Sequence, residues 1–357
     1  MERGPLLSAL VSAVSLAAVA TPVAAHVDYV TDTPSEALAA VQFLSEVLSR
    51  PLNAALLGGT LVAVLVLVAG YLRFRPVARD IEVLRETLAG YEDLVPWMLR
   101  LSLGLPLVGA GFAGYLFAPT VGTDLRLVQI SLGFLILFGL ATRAVAAVGL
   151  LVYLWALAVR PGVILAIEYL PGFVALVLLG SGRPSADHIL QRVAEREGTL
   201  YGRIDPVHDA AARFNDRIEP FARYVPTVLR VGLGVGFVFL GVTQKLAQPA
   251  SALAVVEKYN LTAVVPVDPG LWVVGAGLTE AAVGLALIVG LFTRANAGVA
   301  FLLFTLTLFG LPDDPVLAHV TLFGMTSAVF TLGAGPLALD TRLAERPTTD
   351  RSPAPAD

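Results

Sequence analysis

Glu280 stands deep inside an apolar run, residues 269–291, and its chemistry demands a partner. At about 1.5 Å of rise per helical residue it falls near the middle of a membrane's hydrocarbon layer. An ionised carboxylate there costs on the order of 3 kcal/mol on insertion scales. It must therefore face other helices, and either pair with a cation or keep its proton. Lys245, near the end of the preceding apolar run, and His319, near the start of the last one, are the candidate partners. Gln244 adds a hydrogen-bonding group beside them. A Lys–Glu–His constellation has the groups to exchange protons. A second reading stays open for the same side chains, a polar clamp that fixes helix packing. Glu280, His319 and Lys245 are thus the candidate catalytic residues, and Gln244, Glu280 and His319 the candidate ligand-binding groups.

The rest of the composition narrows the chemistry. The chain has 357 residues, of which 56% are hydrophobic and 15% charged. Soluble domains are about 25% charged, so a polytopic membrane protein is expected. With no cysteine there is no disulfide, thiolate nucleophile, cysteine-held iron–sulfur cluster or covalent c-type haem. The four histidines, at 26, 188, 208 and 319, are too scattered to suggest a metal site. A net charge of −4 points away from a nucleic-acid partner.

A spanning helix needs roughly 20 mostly apolar residues, because its backbone must satisfy itself. Residues 1–25 have the charged start, apolar core and small-residue end of a signal peptide, with an uncleaved anchor as the alternative. After it, nine runs fit: 53–72, 96–118, 125–141, 144–159, 162–180, 226–247, 269–291, 295–311 and 316–332. Threading them from outside leaves only Arg50, Arg126, Arg160, Lys245 and Lys258 of the mature chain's basic residues on the outer side. That asymmetry places the mature N-terminus outside a plasma membrane and the C-terminus in the cytoplasm.

The chain also repeats itself. At a shift of 130 positions, 73–119 lies on 203–249, pairing Pro96 with Pro226, Arg100 with Arg230, Gly104 with Gly234, and Gly111 with Gly241. At a shift of 151, Gly133, Gly139, Thr142 and Arg143 fall on Gly284, Gly290, Thr293 and Arg294. Each copy has four runs and enters on the same side, so the repeat is parallel rather than inverted. Arg100, Arg230, Arg143 and Arg294 read as structural. Arg143 and Arg294 are expected to bond the last carbonyls of the helix before them, and the glycines to let helices approach closely. Val77, Ile81, Leu84, Leu88 and Tyr91, and again Val207, Ala211, Phe214, Ile218 and Phe221, step by four and three. Each stripe predicts a helix lying on the membrane face.

The second copy resembles the DoxX family of small four-helix membrane proteins. The resemblance is carried by Arg230, Gly241, Lys245, Leu246, Pro249, Glu280, Gly284, the run Gly290-Leu291-Phe292-Thr293-Arg294, His319 and Gly333-Ala334-Gly335. The first copy is similar more weakly over 100–187, and departs at its polar positions. Tyr115, Gln129 and Glu168 stand where the second copy has Lys245, Glu280 and His319. The resemblance implies a subunit linked to quinone-coupled sulfur oxidation, as in thiosulfate:quinone oxidoreductase, or to membrane oxidative-stress complexes. More distant relatives imply cargo receptors or assembly chaperones. A quinone is the one cofactor this leaves open, since a quinone reduced by two electrons also takes two protons and a titratable carboxylate and imidazole suit it. The partners expected are the lipid bilayer and an unidentified redox or membrane protein.

The expected fold is therefore an all-α integral membrane protein of two tandem DoxX-like four-helix bundles plus one anchor helix. Its segments are a signal peptide (1–25), an outer segment (26–52) and the anchor (53–72). The first unit (73–187), a cytoplasmic linker (188–202), the second unit (203–340) and a disordered tail (341–357) follow. An accessory subunit is favoured over a stand-alone enzyme.

Overall fold

The computed structural model describes residues 37–201 and 208–344, which are almost wholly helical. The expected signal peptide, most of the tail, and Arg203, Pro206 and Val207 at the start of the second surface stripe lie outside the described residues. The helices are α1 (Ala37–Ser49), α2 (Pro51–Phe74), α3 (Ala78–Ala89), α4 (Val95–Ala113), α5 (Arg126–Phe138), α6 (Thr142–Val159) and α7 (Tyr169–Leu179). There follow α8 (Ala186–Ala194), α9 (His208–Ile218), α10 (Val225–Phe239), α11 (Pro249–Lys258), α12 (Pro269–Val289), α13 (Thr293–Gly310), α14 (Val316–Leu332) and α15 (Leu339–Ala344).

Among the described residues, six helical stretches are long and apolar enough to cross a membrane: Pro51–Phe74, Glu92–Ala113, Thr142–Val159, Ala212–Leu246, Pro269–Val289 and Thr293–Gly310. The other three expected spans hold shorter helices, of 13 residues in α5, 11 in α7 and 17 in α14. The physical reasons are local. Gly139 takes the left-handed conformation and stops α5. A 3-10 turn, Pro161–Ala166, takes up the first part of the run that ends in α7. Thirteen residues rise about 20 Å, less than the roughly 30 Å of a hydrocarbon core.

The anchor α2 stands apart. Only 6% of its most apolar window is buried, and Leu61, Val66 and Leu67 face outward. Its apolar flank suits lipid, and Tyr71 meets the ring of Phe292 edge-on. The two surface stripes are helical over α3 and α9, with Val77, Leu84, Tyr91, Phe214 and Phe221 exposed. α9 passes through a 3-10 stretch, Glu219–Tyr224, into α10. A short helix, α8, occupies part of the segment expected to be a linker.

The bundle helices pack along a common seam. α4 lies against α5, α7 and α14, while α10 lies against α12, α14 and α7; α6 packs on α7 and α13 on α14. Leu99, Leu103, Phe173, Leu229, Leu233 and Met325 fill the resulting core. Across the seam Thr321 donates its hydroxyl to the Ser102 carbonyl at 2.9 Å. Within each half the helices cross at glycine. A Cβ on Gly104 would lie 2.9 Å from the Gly133 carbonyl oxygen, and one on Gly234 would lie 2.5 Å from that of Gly284. These crossings put backbone against backbone.

One end of each half is held by the same set of hydrogen bonds. Arg100, buried, donates to the carbonyls of Ile136 (3.0 Å), Leu137 (2.9 Å), Ser181 (2.6 Å) and Pro184 (2.7 Å). Arg230, equally buried, donates to Leu287 and Ala334 at 2.8 Å, and also to Ile288 and Leu337. Asp187 accepts from the amides of Ala141 and Thr142, and Asp340 from those of Phe292 and Thr293. Arg143 and Arg294 correct the expectation made for them. Arg143 reaches Val177 and Leu179 at the end of α7, and Arg294 reaches Phe330 and Thr331 at the end of α14. The carbonyls ending the preceding helices, α5 and α12, are already taken by Arg100 and Arg230.

Removing Arg230 strands four carbonyls. Each buried unsatisfied polar group costs about 1–3 kcal/mol. Arg230→Met is expected to lower unfolding stability in detergent by at least about 3 kcal/mol, read as a fall in the thermal midpoint. A substitution without such a fall would mean that water reaches these carbonyls.

Candidate functional site

The site begins with how α10 ends. Its helix widens after Phe239 into a π-helical turn, Leu240–Leu246, closed by an Ala247 amide to Val242 carbonyl bond of 2.8 Å. Such i→i+5 turns are rare and often mark functional positions. This one carries both Gln244 and Lys245 and packs against α12. The approach is again made by glycine. A Cβ on Gly241 would lie 2.7 Å from the Gly277 carbonyl oxygen and 3.0 Å from Glu280 Cβ. Any larger residue at 241 would push Glu280 away from Lys245.

Held this way, Lys245 Nζ donates to both carboxylate oxygens of Glu280, at 2.8 and 2.7 Å. The side chains keep 26% and 18% of their exposure, so the pair is neither sealed in the core nor free at a surface. Its Coulomb attraction at an effective dielectric of 20 is of order 4 kcal/mol, set against the cost of stripping water from both groups. Gln244 is buried, its amide nitrogen 3.2 Å from Thr243 Oγ1, and its carbonyl oxygen has no hydrogen-bond partner among the described residues. A buried, unsatisfied acceptor thus lies one residue before Lys245.

His319 is buried in the first turn of α14. Its Nε2 lies 3.5 Å from Asp314 Oδ2, its Nδ1 lies 3.3 Å from the Pro315 carbonyl, and its ring packs on Phe304. The structure therefore brings Lys245 and Glu280 together and gives His319 the carboxylate of Asp314. Asp314 was missed from sequence, although an acidic residue five positions before a buried histidine is the local signal for it.

The corresponding positions of the first half are built differently. α4 ends at Ala113, five residues before the expected end of that run, and is capped by Gly114 in the left-handed conformation (φ 86°). Tyr115, at the position of Lys245, leaves the helix and bridges to Gly122. Gln129, buried at the position of Glu280, accepts from the Phe117 amide at 3.3 Å and donates to the Tyr115 carbonyl at 3.2 Å. It ties down a loop where Glu280 holds an ion. Glu168, at the position of His319, is buried beside the seam.

The residues inserted in the second half, after Pro249, fold as α11 and a 3-10 turn, Leu261–Ala263. α11 packs on α12 and on the π turn, with Ala252, Val256 and Val273 forming a small separate core. α1 lies against α11 and α12. Arg50 pairs with Asp268, the residue that caps α12 through the Leu271 amide. At the other end, Lys258 Nζ and the Tyr259 hydroxyl reach Asp313 at 2.9 and 2.7 Å, clasping α11 to the loop before α14.

The helices long and apolar enough to span a bilayer, with charged side chains paired among them, define an α-helical membrane protein that crosses several times. Residues 225–313, which run from α10 through the π turn, α11 and α12 to α13 and include Lys245 and Glu280, match the DoxX family model. No curated protein and no solved structure matches the chain.

Two outcomes check this geometry. Breaking a buried ion pair from one side costs about 3–5 kcal/mol. Lys245→Met and Glu280→Gln are each expected to destabilise the detergent-solubilised protein by that order, and the double variant by clearly less than the sum. Additive losses in denaturant unfolding would show that the two groups are not coupled. The second outcome concerns pH. Hydrogen bonds from Lys258 and then Tyr259 hold the Asp313 carboxyl below its usual range, and the bond to Asp313 raises Lys258. The carboxylate's contribution is present above its unfolded value and lost as pH falls through its folded one. Hydrogen-exchange protection at the end of α11 should therefore drop in the acid range, and Asp313→Asn should abolish that step.

Proposed function

We propose that this chain is a DoxX-like integral membrane subunit of a redox or oxidative-stress complex, and that Lys245, Glu280 and His319 bind a quinone head group or relay its protons. In this reading the mature chain crosses the membrane nine times, as an anchor followed by two tandem four-helix units. Its N-terminus is outside and its C-terminus in the cytoplasm, after loss of the signal peptide. The matching arginine and aspartate bonds at the ends of both halves support the tandem arrangement. So does the loss of basic residues from one side of the threaded sequence.

The observation that carries the functional reading is the Lys245–Glu280 pair at the π turn, partly accessible, with a buried unsatisfied acceptor on the preceding residue, Gln244. A quinone carbonyl would accept from the ammonium, and a quinol hydroxyl would donate to the carboxylate or to Gln244. Electrons would come from a partner, because the chain's own side chains offer no evident one-electron carrier. The alternative is a non-catalytic scaffold or assembly chaperone for partner membrane proteins. The observation favouring it is that the ion pair lies at the Gly241–Gly277 crossing, where it also locks two helices.

The test is purification from native membranes in mild detergent, with identification of co-purifying proteins and extraction of bound quinone. At a temperature below its lowered unfolding midpoint, Glu280→Gln should leave the complex assembled, empty it of quinone and lower its quinone-dependent activity by about a hundredfold. Full activity in that variant would remove the catalytic reading, and loss of assembly alone would establish the scaffold.

A further inference from the structure

A second acidic side chain lies inside the bundle and takes no part in the Lys245–Glu280 site. Glu168 precedes the first residue of α7 and is 8% exposed. None of the salt bridges among the described residues includes it. Two cavities of about 10 Å³ each share its side chain and that of Leu165. The first is closed by Pro106, Tyr115, Phe117 and Tyr169, with Leu317 from across the seam. The second is closed by Gly232, Gly236, Phe237, Phe304 and Leu322, all from the second half. A cavity of that size holds about one water.

The surroundings decide what Glu168 can do. The titratable groups that act on it from its own half are the phenols of Tyr153 and Tyr169, with Tyr115 lining the first cavity. From α10 and α13 the second cavity receives only glycine and apolar side chains. α14 contributes Leu317, Ala318 and Leu322, with His319 and its partner Asp314 next in line on that element. No cation of the described residues pairs with the carboxyl, and an unpaired carboxylate in such a place is strongly unfavourable. The neutral acid instead has an O–H to donate and a carbonyl oxygen to accept, which suits one water in each cavity.

We propose that Glu168 is a second intramembrane site, binding one proton that it exchanges with water in the two cavities at the seam. With either water the exchange balances: the acid's O–H proton passes to the water as one of the water's own protons returns to the other carboxyl oxygen, so acid and water both end neutral. This goes beyond the quinone reading and stands without it. Glu168 itself lies outside the residues that match the DoxX model, although the second cavity borrows its lining from within them, and the site needs neither a redox partner nor Lys245.

Infrared spectroscopy of the full chain in lipid nanodiscs tests it. At neutral pH the wild-type protein should show a protonated-carboxyl C=O band that shifts when H2O is replaced by D2O. That band should vanish in Glu168→Gln and persist in Glu280→Gln. Glu168→Asp, which keeps an acid at the position, should move the band rather than remove it, and covers the case in which the amide variant fails to fold. A wild-type spectrum without such a band, a band insensitive to D2O, or one that survives in Glu168→Gln would overturn the proposal. Loss of quinone binding in Glu280→Gln with the Glu168 band intact would separate the two sites.

Discussion

Arginine bonded to backbone carbonyls inside a dry bundle is the interaction on which everything else here rests. The last carbonyls of a helix have no partner within it, and hydrocarbon supplies no water to replace one. A guanidinium offers five donors in a fixed fork and keeps its charge. Arg100 and Arg230 each use that fork to gather carbonyls from two different segments, the end of one helix and the turn after another. Asp187 and Asp340 sit close enough to balance the charge while capping the next helix. One buried cation and one carboxylate thereby fix where two helices stop and a third begins. The register of the glycine crossings follows, and with it the depth at which Glu280 meets Lys245.

Upon that shared frame the two halves diverge through a single backbone choice. At position 114 glycine permits the left-handed conformation, and α4 ends there. The corresponding residue is Gln244, whose side chain disfavours that conformation, so the helical path continues and loosens into the π turn. The consequence is chemical. Tyr115 is carried into a loop held by Gln129, whereas Lys245 stays on a helix and points at Glu280. A difference in backbone freedom becomes the difference between a neutral hydrogen-bonded loop and an intramembrane ion pair.

Much of this could be read from residue order, and the failures have specific causes. The apolar runs, the glycine crossings at Gly104, Gly133, Gly234 and Gly284, and the pairing of Glu280 with Lys245 follow from burial and from the cost of an unpaired charge. The lengths of α5 and α7 did not follow, because hydropathy is blind to a left-handed stop or a 3-10 turn within an apolar run. The π turn left no signal, since its composition is that of an ordinary helix. Arg143 and Arg294 were assigned to the wrong carbonyls because sequence adjacency favours the preceding helix, while the fold brings the ends of α7 and α14 nearer. The nearness of Asp314 to His319 did not follow either, because it depends on the turn before α14, which hydropathy does not encode.

The first half also weighs on what the ion pair is for. A buried salt bridge gains little over well-packed neutral groups, because desolvation offsets most of its attraction. Here a neutral version stands in the same chain: Tyr115 and Gln129 occupy the corresponding positions, and the helices beside them still cross at glycine and still end on an arginine. Packing at this place is thus achieved without charge. The charge of the Lys245–Glu280 pair is therefore more than helix packing at the matching place in the first half needs, and the pair keeps partial accessibility. That contrast within one molecule is what the proposed chemical role rests on.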